Sequence, residues 1–224
     1  MPKILFVCHG NICRSPMAEF VMKKMVTELQ DGAGLECAGK SFAGKDCAGK
    51  NCADFEIASA ATSTEEIGNP VYPPARRMLE RHGIDCRGKT ARQMTLRDYE
   101  YYDYIVLMDR NNLRNLRWIL PPEIYEKECA ANTVHPCAGK SFAGKSFAGK
   151  DCAGLECAGK SFAGRDGAGL ECAGSQATGN KVSLLMDWVG ESRDVADPWY
   201  TGDFVATWND VNEGCRAMLQ KLLH

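Results

Sequence analysis

The stretch KILFVCHGNICRSPMAEFVMKKMVTEL, residues 3–29, joins a strand pattern to a helix pattern through one short loop. Residues 3–8 form a continuous apolar run, which is typical of a parallel strand covered on both faces. Residues 15–29 carry apolar side chains at helical spacing, with Pro16 in the expected first turn and Ser15 as the expected cap. The stretch therefore predicts a strand, a loop at its carboxyl end, and a helix.

The same alternation continues along the chain. Further strands are predicted at 55–61, 102–109 and 181–187, and further helices at 73–83, 110–119 and 204–223. Four strands joined by helices favour an α/β fold, with a small doubly wound four-stranded parallel sheet and helices on both faces. We expect residues 1–224 to form a single domain.

Two blocks of an Ala-Gly pentapeptide repeat interrupt the alternation, at residues 33–52 and 138–177. A period of five matches neither helix nor strand, and a glycine in every unit raises the entropic cost of ordering. Irregular loops are therefore favoured over a β-solenoid, which would have to bury a row of lysines. Both blocks connect a helix to the next strand, so we expect these low-complexity insertions opposite the sheet edge where ligands bind.

Composition argues against several classes of function. The net charge of −2 predicts no binding surface for nucleic acid or for a membrane. No apolar run approaches the roughly 20 residues of a membrane span. Because no secretion signal is recognisable, we expect a cytoplasmic protein whose twelve cysteines stay reduced. The repeat cysteines fall at multiples of five without interleaved histidines, so we expect no metal and no cofactor.

The loop after the first strand carries a nucleophile and an anion-binding group. Five residues separate Cys8 from Arg14 at the junction of strand and helix. Backbone N–H groups there can cradle an oxyanion, and the helix N-terminus would favour the thiolate form of Cys8. Arg14 offers a planar fork for two phosphate oxygens, and Ser15 can donate to the thiolate. With Gly10 for close backbone approach and Asn11 for left-handed geometry, the loop indicates phosphoryl transfer to cysteine.

The sequence resembles the low-molecular-weight protein tyrosine phosphatases. The resemblance covers essentially all residues outside the repeats, in the segments VCHGNICRSPMAEF (7–20), SAATSTEEIGNP (59–70), HGI (82–84), TARQ (90–93), YDYIVLMD (102–109) and DPWYTGDF (197–204). It implies one phosphatase domain that hydrolyses phosphotyrosine in proteins or peptides through a cysteinyl-phosphate intermediate.

A tyrosine leaving group needs a proton donor as the P–O bond breaks. The segment 193–203 follows the last predicted strand and returns to the active edge of the sheet. It offers Asp194, Asp197 and Asp203, and chemistry alone does not choose among them. The resemblance selects Asp197, because the family motif is Asp-Pro followed by aromatic residues.

The resemblance also implies roles around the pocket. Trp199 and Tyr200 match the aromatic pair that forms the wall of the substrate site. Glu65 lies at a position on the pocket rim, so we expect this rim to be acidic. Ser59 matches the serine that supports Asn11. The remaining predicted members of the loop are His9, Ile12 and Cys13. Lys89 stands where mammalian members carry a histidine, which puts that part of the supporting network in question.

Cys13 suggests redox control, on the strength of the same resemblance. The resemblance implies a reversible disulfide between Cys8 and Cys13 that shields the nucleophile from over-oxidation. The alternative is an inert buried thiol at Cys13.

Two related activities compete with the tyrosine phosphatase interpretation. Arginine phosphatases resemble this loop but typically carry threonine where this chain has Ile12. Thioredoxin-coupled arsenate reductases also resemble it but need a redox cysteine pair midway along the domain, where Cys86 stands alone. Ile12 and the aromatic pair therefore favour phosphotyrosine.

Overall fold

The computed structural model describes residues 1–30, 55–133 and 181–223, together with one short strand pair. That pair is β2 (Glu36–Cys37) and β3 (Lys40–Ser41), which run antiparallel. Apart from it, the predicted repeat insertions at 33–52 and 138–177 lie outside the described residues. Their conformation therefore stays a prediction.

Four parallel strands form the central sheet, in the order β4-β1-β5-β6. They are β1 (Lys3–Cys8), β4 (Glu56–Ala61), β5 (Tyr104–Leu107) and β6 (Val182–Leu184). The first strand lies inside the sheet, with Ile4 opposite Ile57 on one side and Tyr104 on the other. Its residues from Ile4 to Val7 are fully buried, as the apolar run predicts for a strand covered on both faces.

Helices cover both faces of the sheet. They are α1 (Arg14–Gln30), α2 (Pro73–Arg81), α3 (Leu96–Tyr101), α4 (Arg110–Asn115), α5 (Pro122–Thr133), α6 (Pro198–Thr201) and α7 (Phe204–Leu223). Ile4 and Phe6 pack in one core with residues of α1, α2 and α7. Leu5 and Val7 pack in a second core with residues after α4. The predicted α/β fold is thus confirmed.

Along the described ranges, no helix combines the length and the apolar character needed to cross a bilayer.

Several predicted boundaries were wrong. The strand predicted at 181–187 ends at Leu184, because the Leu184 N–H turns to Asp187 Oδ2 at 3.0 Å and a 3-10 turn follows at Leu185–Trp188. The helix predicted at 110–119 ends at Asn115 and tightens into the 3-10 turn Leu116–Trp118. Helices α3, α5 and α6 were not predicted.

The connections between strands and helices lie at two opposite edges of the sheet. The residues after β1, β4 and β5 meet at the carboxyl edge, where the Thr62 N–H donates to Cys8 O at 2.9 Å. At the amino edge, the Glu56 N–H donates to Pro2 O at 3.0 Å, and the Ile105 N–H donates to Lys181 O at 2.8 Å. Glu56 and Lys181, which lie near the start of the described ranges 55–133 and 181–223, are thus at the edge away from the loop that carries Cys8 and Arg14.

Candidate active site

The loop between β1 and α1 forms the floor of a pocket of about 240 Å³. Its lining comprises Cys8, His9, Gly10, Ile12, Cys13, Arg14, Glu65, Glu66, Asp197, Trp199 and Tyr200. The structure therefore brings together the predicted nucleophile, the predicted anion-binding arginine and one of the three candidate acids. Most of the predicted supporting residues lie in the same pocket or directly behind it.

The Cys8 sulfur lies at the buried base of this pocket. Its Sγ is 3.0 Å from Ser15 Oγ and accepts the Asn11 N–H at 3.3 Å. The helix α1 begins at Arg14, so Ser15 lies inside its first turn and the predicted capping role was wrong. The Ser15 hydroxyl instead has tertiary partners, which include Ala60 O at 3.3 Å. The Asn11 N–H thus donates to the sulfur, and the Ser15 hydroxyl lies within hydrogen-bond distance of it.

Asn11 holds the loop in a strained conformation. Its φ of 56° is left-handed, which a non-glycine residue adopts at a cost and which asparagine tolerates best. The side-chain amide Nδ2 donates to Ser15 Oγ at 2.9 Å and to Ser59 Oγ at 2.7 Å. The amide oxygen accepts the Arg92 N–H at 3.2 Å, which fixes the orientation of the amide.

A buried carboxylate, Glu19, orders the hydroxyl protons behind the loop. Ser59 Oγ lies 2.6 Å from Glu19 Oε2, and because a carboxylate only accepts, Ser59 must donate. Ser59 then accepts from Asn11, and Asn11 also donates to Ser15. The single Ser15 proton then has two acceptors within reach, Cys8 Sγ at 3.0 Å and Ala60 O at 3.3 Å. A chain of hydrogen bonds thus runs from Glu19 to the residue that contacts the nucleophile.

Lysines keep Glu19 ionised. Lys89 Nζ lies 2.7 Å from Glu19 Oε2, and Lys23 Nζ lies 2.6 Å from Oε1. Burial alone would raise the pKa of Glu19, but Lys89, Lys23 and Ser59 outweigh it and lower that pKa. Lys89, which the sequence left in question, therefore belongs to the supporting network. Sequence reasoning missed Glu19, although a lone acid on the apolar face of α1 was a signal.

Arg14 is held between two carboxylates. Its Nη1 lies 2.5 Å from Asp109 Oδ2, and its Nη2 lies 2.6 Å from Asp197 Oδ2. Only 4% of Arg14 is exposed. Burial favours a lower pKa for Arg14, but the nearby Cys8, Asp109 and Asp197 outweigh it and raise that pKa. The guanidinium is therefore a fixed cation beside the Cys8 sulfur.

Asp109 is a site residue that sequence reasoning missed. It lies two residues after the end of β5 and caps α4, where its Oδ1 accepts the Asn112 N–H at 2.6 Å. The Oδ1 atom of Asp109 thus caps the helix, and its Oδ2 atom binds Arg14. An acid at the end of a buried strand, on the edge that carries the loop, was the available signal.

Of the three candidate acids, only Asp197 lines the pocket. It caps α6, where its Oδ1 accepts the Trp199 N–H at 3.0 Å. Asp194 accepts the Arg110 N–H at 3.2 Å, and Asp203 accepts the Val205 N–H at 3.0 Å at the start of α7. The geometry thus separates three residues that the sequence alone left equivalent.

Known proteins resemble this chain in sequence and in structure. The family model "Low molecular weight phosphotyrosine protein phosphatase" matches residues 3–54 and 45–127. The chain belongs to this family. The rat protein of that name is 41% identical over 113 residues, which are 50% of this chain and 58% of the relative. The chain thus spans little more than half the length of that relative.

A bacterial member aligns along nearly the whole chain. The low molecular weight protein-tyrosine-phosphatase YfkJ of Bacillus subtilis is 28% identical over 224 residues, which cover 99% of this chain and 96% of YfkJ. The crystal structure of YfkJ superposes with a TM-score of 0.61 at 24% identity, covering 100% of this chain and 95% of that one. The structural likeness supports the shared fold.

The aromatic wall of this family member stands open to solvent. Trp199 is 60% exposed and Tyr200 is 86% exposed, which leaves both rings available to a ligand. Behind them, the Trp199 ring packs against Tyr72, with centroids 5.6 Å apart. The Tyr72 N–H donates to Ile12 O at 2.9 Å, so this tyrosine joins the phosphate-binding loop to the wall. No sequence pattern pointed to Tyr72.

The opposite rim of the pocket carries acidic groups. His9 Nε2 lies 3.1 Å from Glu65 Oε2, and Glu66 lies beside them. A Cβ on Gly10 would approach Glu66 Cγ to 3.0 Å, so the rim packs closely on the loop backbone. The expected acidic rim at Glu65 is therefore present in the structure and is extended by Glu66.

Cys13 lines the pocket as a buried thiol. Burial raises its pKa to about 12, and the nearby Cys8 and Asp197 add to the rise. At neutral pH Cys13 is therefore a protonated thiol, in contrast to the donor-rich setting of Cys8.

Proposed function

We propose that this chain is a cytoplasmic protein tyrosine phosphatase that hydrolyses phosphotyrosine through a cysteinyl-phosphate intermediate. The observation that carries the proposal is the convergence of Cys8, Arg14 and Asp197 in one pocket. Membership of the phosphotyrosine phosphatase family supports it. A reducing compartment suits the proposal, because the reaction requires Cys8 as a free thiolate.

In the first step, the Cys8 thiolate attacks phosphorus and forms the P–S bond as the P–O bond to tyrosine breaks. Arg14 and the N–H groups of the loop hold the non-bridging oxygens. Asp197 gives its proton to the departing tyrosine oxygen. A dianionic phosphate bound to Arg14 would replace Asp197 as the partner of Nη2.

In the second step, Asp197 accepts a proton from water as the water oxygen attacks phosphorus. The P–S bond breaks, inorganic phosphate leaves, and Cys8 returns as a thiolate. The Ser15 hydroxyl lies 3.0 Å from Cys8 Sγ and can donate to the sulfur as its negative charge returns.

The shape of the pocket favours phosphotyrosine among phosphate esters. The nucleophile is buried at the base, so a substrate must reach it through a pocket lined by Trp199 and Tyr200. A long planar tyrosine ring reaches this depth and can stack on the aromatic wall. A phosphoserine side chain is shorter and lacks the ring.

One assay tests the proposal. The full chain is compared with Cys8→Ser, Asp197→Ala and a variant lacking both repeat blocks, on p-nitrophenyl phosphate and on phosphotyrosine and phosphoarginine peptides. We expect turnover in the presence of EDTA, loss of activity in Cys8→Ser, strong slowing in Asp197→Ala and retention after deletion of the repeats. Cys129→Ser, a thiol outside the pocket, is the matched control and should behave as the wild type.

Two outcomes would overturn the proposal. Activity that survives Cys8→Ser would remove the nucleophile assignment. A higher kcat/KM for phosphoarginine than for phosphotyrosine peptides would reassign the substrate. Mass spectrometry of acid-quenched Asp197→Ala should also detect phosphate on the peptide that contains Cys8, because loss of the general base slows the second step.

A further inference from the structure

A second concavity of about 410 Å³ lies between α2 and the start of α7. We call it the arginine groove, after Arg77 and Arg81 on its wall. Its lining also includes Met78, Asp203, Phe204 and Val205. The mechanism above leaves this groove without a role. Its apolar part includes Val205, which is 57% exposed.

Arg77 and Arg81 give the groove a cationic wall. They lie four residues apart on α2 and so project from one helix face, where two like charges disfavour the helix slightly. Neither guanidinium forms an ion pair with a carboxylate in the described parts of the chain. Arg76, on the neighbouring stripe of the same helix, pairs instead with Glu80 at 2.7 Å.

The acid in the groove is already engaged. Asp203 Oδ1 accepts the Val205 N–H at 3.0 Å and the Ala206 N–H at 2.9 Å, which caps α7. Its negative charge is therefore directed at the helix terminus. The groove retains a net positive wall that suits an anionic side chain.

The groove continues from the substrate pocket. Trp199 lines the pocket and its ring lies 5.6 Å from Tyr72, whose ring lies 6.1 Å from Phe204 in the groove. An extended peptide advances about 3.3 Å per residue, so about three or four residues cover these two steps. A peptide whose phosphotyrosine fills the pocket can therefore extend to Phe204, which lines the groove together with Arg77 and Arg81.

We propose that the arginine groove binds an anionic side chain of the substrate, three or four residues from the phosphotyrosine. The inference rests on the proposed function and names the class of substrate: peptides with a carboxylate or a second phosphate at that distance. Arg77 and Arg81 bind the anion, and Met78, Phe204 and Val205 contact the aliphatic part of the chain.

Matched peptides test the groove. Each carries one phosphotyrosine and, three and four residues to its N-terminal or C-terminal side, glutamate, phosphoserine or glutamine. We expect kcat/KM to be about fivefold higher for the anionic peptides on one side, because partly exposed charge pairs contribute modestly. Glutamate and phosphoserine together distinguish a carboxylate from a phosphate as the preferred anion. The preference should shrink in high salt.

Substitution of the two arginines assigns the preference to the groove. Arg77→Gln combined with Arg81→Gln should abolish it while leaving kcat/KM for p-nitrophenyl phosphate unchanged. The charge-matched control combines Arg76→Gln with Arg87→Gln, which removes two arginines that already pair with Glu80 and Asp85. This control should keep the preference. If a thermal melt shows that the double variant is not folded at the assay temperature, the two single variants replace it. Each of them should lower the preference without abolishing it.

The outcomes separate the two proposals. A wild-type chain that hydrolyses none of the phosphate esters overturns the proposed function itself. A wild type that hydrolyses p-nitrophenyl phosphate, but treats anionic and neutral peptides alike, overturns the groove alone. So does a preference that survives loss of both Arg77 and Arg81.

Discussion

The guanidinium of Arg14 bonds directly to the carboxylate of Asp197, with 2.6 Å between Nη2 and Oδ2. The anion-binding group and the proposed proton donor are thus partners. The other end of the guanidinium stays on Asp109 at 2.5 Å, so it cannot swing away. A phosphate that binds Arg14 must therefore compete with Asp197 for Nη2, because Asp109 holds the guanidinium in place.

Asp197→Asn should separate binding from catalysis. We expect kcat for p-nitrophenyl phosphate to fall by about 10²–10⁴, because the proton donor is lost. Inorganic phosphate should inhibit more strongly, since the asparagine no longer neutralises Arg14. Asp203→Asn is the control, because asparagine also caps helices and that carboxylate lies outside the pocket. Weaker phosphate inhibition in Asp197→Asn would contradict the competition.

Glu19→Gln should reduce stability in a pH-dependent way. The pKa of Glu19 is lowered in the folded protein from an ordinary value near 4.5, so its ionisation stabilises the fold above that pH. This stabilisation is lost as the pH falls through the lowered folded value. We expect Glu19→Gln to lower the free energy of unfolding by roughly 1–3 kcal/mol at pH 7 and by progressively less below pH 4.

Urea titrations from pH 7 to pH 3 measure this difference. The control is Glu28→Gln on the same helix, whose pair with Lys24 at 3.4 Å is partly exposed. It should change the free energy by no more than about 0.5 kcal/mol at any pH. A Glu19→Gln penalty that stays constant down to pH 3 would argue against the ionised network.

Oxidation should become more reversible as the pH rises. Peroxide oxidises the Cys8 thiolate to a sulfenic acid, and the Cys13 thiolate then attacks that sulfur, forming the disulfide and releasing hydroxide. With a pKa of about 12 for Cys13, its thiolate fraction rises about tenfold per pH unit near neutrality. We therefore expect the ratio of disulfide to sulfinic acid at Cys8 to increase from pH 7 to pH 9.

Peptide mass mapping after brief peroxide treatment gives this ratio. Cys13→Ser should yield only over-oxidised Cys8, whereas Cys129→Ser should match the wild type. If the ratio is flat across this pH range, attack by the Cys13 thiolate is not the step that competes with over-oxidation.

The parts of the site that were predictable are local in the chain. The strand, loop and helix at residues 3–29 are encoded by an apolar run, a Cys-x5-Arg spacing and helical periodicity. Cys8 and Arg14 are therefore placed by one continuous segment. The loop after the last strand must return to the same sheet edge, which predicted an acid from Asp194, Asp197 and Asp203. The family motif then selected Asp197 among them.

The residues that were missed act over long sequence distances. Asp109 lies 95 residues from Arg14, and Lys89 lies far from Glu19 along the chain. On its own helix Glu19 has a lysine four residues on, as many surface acids do, and its position on the apolar face does not reveal Lys89 or Ser59 as partners. The contact of Ser15 with Cys8 was predicted within the loop, but its contact with Ala60 O appears only when β1 and β4 lie side by side. Tertiary contacts, which no local pattern encodes, decide these roles.

Tyr72→Ala should weaken catalysis although Tyr72 does not line the pocket. Its ring packs 5.6 Å from Trp199, and Trp199 shares the short helix α6 with Asp197. Without that ring, the wall and the proton donor lose a common support, so we expect kcat to fall about tenfold. The larger effect should be on kcat rather than KM, since Cys8 and Arg14 stay in place. Tyr72→Phe keeps the packed ring and should retain most of the activity, and equal kinetics for Tyr72→Ala and the wild type would show that α6 is held by other contacts.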